Sequence, residues 1–226
     1  MFASVTEQPI FATYVWVYDL EPEHAQRLNR QVFQDLDELT SPRPRLGPGQ
    51  NWQTDQVLHQ LGEFRELVDI FTRASKRVLD LMEVDYDRFE ITGCWANINP
   101  RGAVHPPHFH PNNFLSGVYY VQAPPESDSI TFHEPRPQVD MIAPRLRRHN
   151  KYNTPLQDIP VKPGRLILFP AWLTHSVRKN QSQSLRISIS FNIMFPSFTE
   201  TMSKPRWRGI PVGKTRRPPP GDEEGG

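Results

Sequence analysis

The sequence predicts a mainly β protein of the α+β class, with a sandwich or jelly-roll core preceded by two helices. Apolar residues recur at helical spacing within the first 85 residues. Short β-forming stretches, separated by turn residues, then fill the chain from residue 89 to residue 195. Helices that precede a run of strands are expected to pack on one face of the β-structure.

The N-terminal part contains one predicted strand and both predicted helices. Aromatic and β-branched residues make 11–18 a strand. Pro22 begins a helix whose apolar side includes Leu28, Val32 and Leu36. Residues 41–50 contain three prolines and two glycines, which predicts a loop. A second amphipathic helix is predicted over 61–82.

Eight short strands are predicted after residue 88, and turn-rich stretches separate them. Their spacing is typical of a sandwich or jelly roll and argues against βαβ units. The strands are 89–99, 114–122, 129–133, 138–143, 159–161, 165–169, 175–179 and 184–195.

The domain organisation follows from these elements. We predict a single domain over 1–203, with a helical support at 20–85 and a jelly-roll core at 89–196. Residues 204–226 are rich in proline and arginine and are predicted to be a flexible tail, because they contain too little apolar surface to order themselves.

Composition limits the cellular context and the partners. The formal net charge is +1, from 26 basic and 25 acidic residues, which gives no global case for nucleic acid binding. Basic residues cluster at 145–151 and again in the tail. Cys94 is the one cysteine, which favours a reducing compartment. With no signal peptide and no membrane-length apolar run evident, we predict a cytoplasmic protein that binds no membrane. Whether the protein forms a homodimer is left open.

Three histidines fall within the segment His105-Pro-Pro-His108-Phe-His110. Residues at i and i+2 of a strand point to the same side, so His108 and His110 can reach one metal ion. A single strand histidine is more often an ordinary polar residue, but an H-x-H pair beside prolines is more specific. His175 follows 65 residues after His110, directly after an apolar stretch that reads as a buried strand.

The last strand alternates strictly between polar and apolar residues. Ile187, Ile189 and Phe191 share one face, which is predicted to face the core. The other face carries Arg186, Ser188, Ser190 and Asn192. That polar face fits either a half-solvated strand or the wall of a polar cavity inside the sandwich.

Several motifs in this order resemble those of a known superfamily, the double-stranded β-helix 2-oxoglutarate oxygenases. The resemblance is closer to a bacterial and phage branch of 2OG-Fe(II) oxygenases similar to prolyl hydroxylases. It covers about residues 90–195. It rests on Trp95-Ala-Asn-Ile-Asn-Pro-Arg-Gly102, His108-Phe-His110-Pro, Ser116-Gly-Val-Tyr-Tyr-Val121, Gly164 to Pro170 with His175, and Arg186-Ile-Ser-Ile-Ser-Phe-Asn192.

The resemblance implies a double-stranded β-helix core and specific roles for the motif residues. Fe(II) would be held by the catalytic residues His108, His110 and His175. Arg186 would bind the far carboxylate of 2-oxoglutarate, with Ser188 or Ser190 as an added donor. Tyr120 resembles a co-substrate hydrogen-bond donor, and Asn97 and Asn99 would contact the co-substrate's C1 end or the substrate.

The activity implied is hydroxylation of an unactivated C–H bond by O2. 2-Oxoglutarate would be decarboxylated to succinate in the same reaction. The substrate would be an amino acid, a peptide residue or a small metabolite. The basic cluster at 145–151 hints at an acidic group on that substrate.

One position departs from the wider superfamily, because His110 stands where a carboxylate is usual. Imidazole suits iron, copper, nickel and zinc alike, so the metal is argued from the resemblance. Two other ligand sets stay open: Glu134 or Asp140 completing the site with His110 outside it, or His105 replacing His108.

Other activities are consistent with parts of the pattern. A cupin-type dioxygenase also uses three histidines, but it needs no carboxylate-binding Arg186. A non-catalytic jelly-roll module is a second alternative, although it would not be expected to keep all of these positions. An iron halogenase is disfavoured because His110 would block chloride.

Overall fold

Two antiparallel β-sheets and two helices form the part of the protein that the computed structural model describes, residues 2–41, 46, 47, 49–142 and 144–196. The helices are α1 (Pro22–Leu39) and α2 (Arg65–Leu81), and 3-10 turns lie at Leu58–Gln60, Gly62–Phe64 and Pro137–Asp140. The strands are β1 (Trp16–Asp19), β2 (Trp52–Gln53), β3 (Glu90–Asn99), β4 (His105–His108), β5 (Leu115–Gln122), β6 (Ser129–His133), β7 (Leu156–Pro160), β8 (Arg165–Pro170), β9 (His175–Val177) and β10 (Arg186–Met194).

The strands form a large and a small sheet. The large sheet has the order β1-β8-β5-β10-β3-β2, and the small sheet has the order β4-β9-β6-β7. Apolar side chains from both sheets, including Val118 and Phe169 of the large one and Ile130 and Phe132 of the small one, form a shared core. The prediction of a mainly β jelly-roll class is therefore confirmed.

The two helices cover the other face of the large sheet, as predicted. Helix α1 begins with Pro22 at its first position, where a missing N–H costs nothing. Its buried residues, Ala25, Leu28, Val32 and Leu36, follow the helical repeat. Apolar residues of both helices pack against alternate side chains of β3, β5, β8 and β10 in a second core.

The turn before β8 requires its glycine. Gly164 has φ of +85°, a conformation that other residues adopt only with strain. A Cβ at this position would lie 2.5 Å from the Cβ of Ala25 in α1. The Gly164 N–H donates to Tyr120 O at 2.9 Å, which ties the turn to the end of β5. The turn at Pro163-Gly164 thus also allows α1 to approach the sheet.

Some sequence predictions are wrong in detail. A strand is predicted at 138–143, but Pro137–Asp140 forms a 3-10 turn. Met141 and Ile142 are 80% and 84% exposed. Strand β6 instead pairs with β7 on one side and β9 on the other.

Other boundaries also differ from the prediction. Strands β2 and β4 are not among the predicted strands, β1 is shorter than 11–18, and the second predicted helix begins as the 3-10 turn Gly62–Phe64. The predicted tail at 204–226 lies outside the described residues. Across the described part of the chain, no helix combines the length and apolarity of a membrane span.

Candidate active site

Three histidines converge between the sheets. His108 ends β4 and His175 begins β9, and the two are cross-strand partners. His110 lies two residues past the end of β4, where its N–H donates to Ala171 O at 2.9 Å. Ligand nitrogens of the three side chains all lie within 4.8 Å of one another. The expected convergence is present, although His110 reaches it from a loop and not from a strand position.

The orientation of two imidazoles is set by backbone carbonyls. Nδ1 of His108 lies 2.8 Å from Pro106 O, and Nδ1 of His175 lies 3.0 Å from Leu173 O. A carbonyl oxygen accepts only, so both Nδ1 atoms carry the hydrogen and both Nε2 atoms keep a free lone pair. A hydrogen bond of this kind on the second ring nitrogen is usual for histidines that bind metals.

Burial keeps His110 and His175 in the neutral form that binds metals. Burial is the main cause that lowers the pKa of His175 to about 3, with smaller effects from the neighbouring histidines. Burial also lowers the pKa of His110 to about 4, helped by His108. Since neutral imidazole is the ligand form, these two residues need lose no proton to bind a metal at neutral pH.

Arg186 is a buried cation in the same cavity. It is 1% exposed, and burial lowers the pKa of its guanidinium, which stays charged. Its Nη2 donates to Asn99 Oδ1 at 3.1 Å, and its Nη1 donates to Ser127 Oγ at 3.2 Å. These partners are neutral, and no acidic group of the described residues is paired with it. An unpaired buried charge is costly, so this position favours an anionic ligand.

The cavity walls carry most of the residues predicted for co-substrate binding. Tyr120, Ser188, Ser190 and Asn97 line the space beside the histidines and Arg186. Asn99 is fully buried behind them and bonds to Arg186. No aspartate or glutamate is among the described residues that line this cavity. A metal ion with neutral ligands and a nearby guanidinium would both be positively charged, so this cavity favours an anionic ligand.

The two neighbouring tyrosines of β5 face opposite ways. Tyr120 is buried in the cavity, and burial raises its pKa. Tyr119 points toward the helices, where its hydroxyl donates to Asn29 Oδ1 at 2.6 Å. The strand alternation therefore selects Tyr120 as the cavity residue, as the resemblance implied.

A chain of hydrogen bonds that begins at Gln53, a residue that the sequence analysis missed, also reaches the cavity. Gln53 Nε2 donates to Asn97 Oδ1 at 2.7 Å, and Asn97 Nδ2 donates to Ser190 Oγ at 3.0 Å. Gln53 lies on β2, next to the segment predicted as a loop, and it is exposed while also lining the cavity. Two residues are too few for a periodic signal, so only the pairing with β3 reveals this position.

Two of the alternative ligands, His105 and Glu134, do not match the geometry. His105 lies outside the triad, with its ring centroid 6.5 Å from that of His108. Glu134 is paired with Arg136, with Oε1 2.7 Å from Nε, and it is outside the cluster. The side chain of Asp140 lies outside the described part of the structure.

A larger groove elsewhere lacks comparable chemistry. It measures about 610 Å³ and lies between α1 and the turn before β8, lined by residues such as Gln26, Arg30 and Lys162. No histidine, cysteine or carboxylate is among its described lining residues. The histidine cavity is therefore the candidate active site, despite its smaller volume of about 50 Å³.

Comparison with protein families finds a match over the jelly-roll part of the chain. Residues 93–192 match the family described as "Putative 2OG-Fe(II) oxygenase". This segment contains the three histidines and Arg186. No curated protein sequence matches the chain.

Solved structures share the fold at low sequence identity. SnoN, a non-heme alpha ketoglutarate dependent epimerase of nogalamycin biosynthesis, has a TM-score of 0.59 and 13% identity over 89% of this chain and 91% of its own. A Pseudomonas putida prolyl-4-hydroxylase has a TM-score of 0.54 and 14% identity over 81% and 93%. HygX from Streptomyces hygroscopicus, solved with nickel and 2-oxoglutarate bound, has a TM-score of 0.53 and 13% identity over 81% and 83%.

Proposed function

Since residues 93–192 place this chain among the 2OG-Fe(II) oxygenases, we propose that it hydroxylates an unactivated C–H bond. The protein is an Fe(II)- and 2-oxoglutarate-dependent oxygenase that uses O2 as its second co-substrate. The proposed substrate is an amino acid, a peptide residue or a small metabolite. The oxidation of that substrate is coupled to decarboxylation of 2-oxoglutarate to succinate.

The single observation that carries the proposal is the unpaired Arg186 beside the triad. Its guanidinium is buried and, among the described residues, hydrogen-bonds only to neutral groups. It lies in the same cavity as the three histidines. A histidine-only dioxygenase would have no use for this cation. A dicarboxylate that chelates a metal at one end and needs a cation at the other fits both features.

We assign the metal to His108, His110 and His175 through their free ring nitrogens. Iron supplies the binding of O2 and the oxidising chemistry when it is present. The backbone carbonyls of Pro106 and Leu173 keep two of the rings in the tautomer and rotation that binding needs. Three neutral ligands leave the site one charge more positive than a set with a carboxylate, which favours an anionic co-substrate.

We assign the far carboxylate of 2-oxoglutarate to Arg186. The guanidinium offers a two-pronged set of N–H donors that a lysine cannot match. Ser188 and Ser190 are on the same strand face and supply hydroxyl donors, and Tyr120 supplies a phenol. Because burial raises the pKa of Tyr120, its hydroxyl keeps the proton and is available as a donor.

The substrate is assigned to the more exposed side of the cavity. His175 and Arg186 are buried, whereas His108 and His110 are half-buried and Gln53 is exposed. Solvent therefore reaches the triad from the side of β2. Gln53 and Asn97 present carboxamide groups there, which suits a substrate with hydrogen-bonding groups close to the oxidised carbon.

An anaerobic titration tests the proposal. Fe(II) and 2-oxoglutarate added to the protein should produce a weak visible charge-transfer band, and neither component alone should do so. A library of amino acids, peptides and metabolites is then incubated with enzyme, Fe(II), 2-oxoglutarate and O2. A product 16 mass units heavier, formed together with succinate, supports hydroxylation. If the folded protein gives no band, or oxidises a substrate without consuming 2-oxoglutarate, the proposal is wrong.

A further inference from the structure

His105 belongs to a closed set of hydrogen bonds behind Arg186. Its Nε2 lies 3.2 Å from Asn99 Oδ1, the same oxygen that accepts from Arg186 Nη2. Asn99 Nδ2 donates to Asn51 Oδ1 at 3.0 Å. Asn51 Nδ2 in turn donates to Val104 O at 2.6 Å, next to His105 in the chain. Both ends of the Asn99 carboxamide are therefore held.

The chemistry of these groups fixes the direction of each hydrogen bond. A guanidinium only donates, so the group of Asn99 that faces Arg186 must be the oxygen. His105 then has to donate its Nε2–H to that same oxygen. A carbonyl oxygen has two lone pairs and can accept both bonds. The orientation of Asn99 is thus determined by its partners and does not depend on telling its nitrogen from its oxygen.

The location of His105 connects this set to the active site. The residue lines the histidine cavity, and its ring centroid is 6.5 Å from that of His108. Asn99 and Arg186 are cross-strand partners in the β3–β10 pair. His105 thus lies next to the triad on one side and to the Asn99–Arg186 pair on the other.

We infer that His105 is a positioning residue that holds the Arg186 guanidinium in place through Asn99. With His105 present, Asn99 Oδ1 is fixed and one arm of the guanidinium has a rigid partner. Without it, Asn99 keeps only Asn51 as a fixed partner, and the guanidinium gains freedom that 2-oxoglutarate binding must remove. The inference rests on the proposed role of Arg186 and adds a residue that is not itself a metal ligand.

The test compares two 2-oxo acids that differ at the far end. 2-Oxobutanoate has the chelating end of 2-oxoglutarate but lacks the far carboxylate. Affinities of both acids for the anaerobic Fe(II) protein are measured from the charge-transfer band. We expect His105→Ala to reduce the preference for 2-oxoglutarate about tenfold, the effect of losing one well-placed hydrogen bond. Affinities for Fe(II) and 2-oxobutanoate should change less than about twofold, since neither depends on Arg186.

Two variants separate positioning from general damage. His105→Gln places an N–H donor within reach of Asn99 Oδ1 and should restore most of the preference. His133→Ala is the matched control, because His133 is also a half-buried strand histidine with one side-chain partner, Ser176 Oγ at 2.8 Å. It lies outside the Asn99 set and should leave the preference unchanged.

The outcomes are distinct. An unchanged preference in His105→Ala, or an equal loss for both acids, overturns the inference while leaving the proposed function standing. Absence of the band in the wild-type protein overturns the proposed function itself. If His105→Ala does not fold, Asn51→Ala decides, because Asn51 is exposed and supports the same carboxamide. If that variant prefers 2-oxoglutarate over 2-oxobutanoate as strongly as wild type does, the proposed role of the hydrogen bonds around Asn99 is refuted.

Discussion

His108 and His175 are direct cross-strand partners in the β4–β9 pair, with ring centroids 4.3 Å apart. They are far apart in the chain, so the pairing of two short strands is what brings them together. Strand β9 is three residues long and also pairs with β6. The candidate metal site therefore depends on the small sheet being formed.

The first prediction concerns His175. Replacing it with alanine removes one of three converging nitrogens and should weaken Fe(II) binding by more than roughly 100-fold, beyond the effect of losing a supporting hydrogen bond. Anaerobic Fe(II) titration, with circular dichroism to check folding, measures this. Phe132→Leu in the same core region is a useful control, since it alters packing beside His175 without removing a ligand. Wild-type affinity in a folded His175→Ala protein would exclude this residue from the site.

The second prediction addresses the proposed ligand at position 110, where histidine stands in place of the usual carboxylate. A glutamate carboxylate reaches about as far as an imidazole and would restore the histidine–carboxylate set of many iron oxygenases. We expect the Fe(II) affinity of His110→Glu to stay within about tenfold of wild type. His110→Ala should lose Fe(II) binding, as expected when a residue that binds the metal directly is removed. The same titration compares the two variants. Equal behaviour of both, at wild-type affinity, would mean that His110 is not a ligand.

The third prediction links stability to co-substrate binding at Arg186. Replacing this unpaired buried charge with methionine should stabilise the ligand-free protein, because the cost of burying an unpaired charge is removed. The wild type should gain about 2.7 kcal/mol from 2-oxoglutarate at 100 times its dissociation constant, and Arg186→Met should gain almost nothing. Anaerobic urea unfolding with Fe(II), with and without 2-oxoglutarate, measures both effects. A ligand-free variant less stable than wild type would indicate that Arg186 is structural.

The fourth prediction tests the packing behind the active-site strands. A Cβ at Gly117 would lie 2.2 Å from the ring of Phe191, which stacks on Phe71 at a centroid distance of 4.1 Å. The ring cannot move freely, so Gly117→Ala should destabilise the protein by about 1–3 kcal/mol. Gly62→Ala is the control, because nothing lies within 4 Å of its added Cβ. If urea unfolding gives the same free energy of unfolding for both variants, the close approach of Phe191 to Gly117 is contradicted.

The fifth prediction concerns acid stability. Hydrogen bonds from Arg165 are the main cause that lowers the pKa of Asp19 from 3.8 to about 2, joining β1 to β8. The lowered pKa adds stability above pH 3.8, and this contribution disappears as the pH falls toward 2. Since the pair is partly exposed, it contributes about 0.5–1 kcal/mol.

Asp19→Asn isolates this contribution. The variant should be less stable than wild type at pH 7, and the difference between the two should vanish near pH 2. Urea unfolding across this pH range measures it. A difference that stays constant with pH would mean that the carboxyl has no special role.

The sequence by itself determined that two helices precede a run of strands, the jelly-roll class and most residues of the candidate site. Strict alternation in Arg186-Ile-Ser-Ile-Ser-Phe-Asn192 already assigned one face to apolar packing and the other to polar residues. The H-x-H pair, the distant His175 and the family match needed no tertiary structure. These are local patterns, and the spacing of residues along the chain is enough to detect them.

Tertiary structure alone decided how those residues meet. Residues 138–143 have strand-like composition, but Pro137–Asp140 forms a 3-10 turn and Met141 and Ile142 are exposed to solvent. Only the sheet pairing shows that Gln53 reaches the cavity, that His105 holds Asn99 and that Arg186 has neutral partners. These relationships join residues far apart in sequence, so spacing cannot encode them; they depend on which strands pair and in which register.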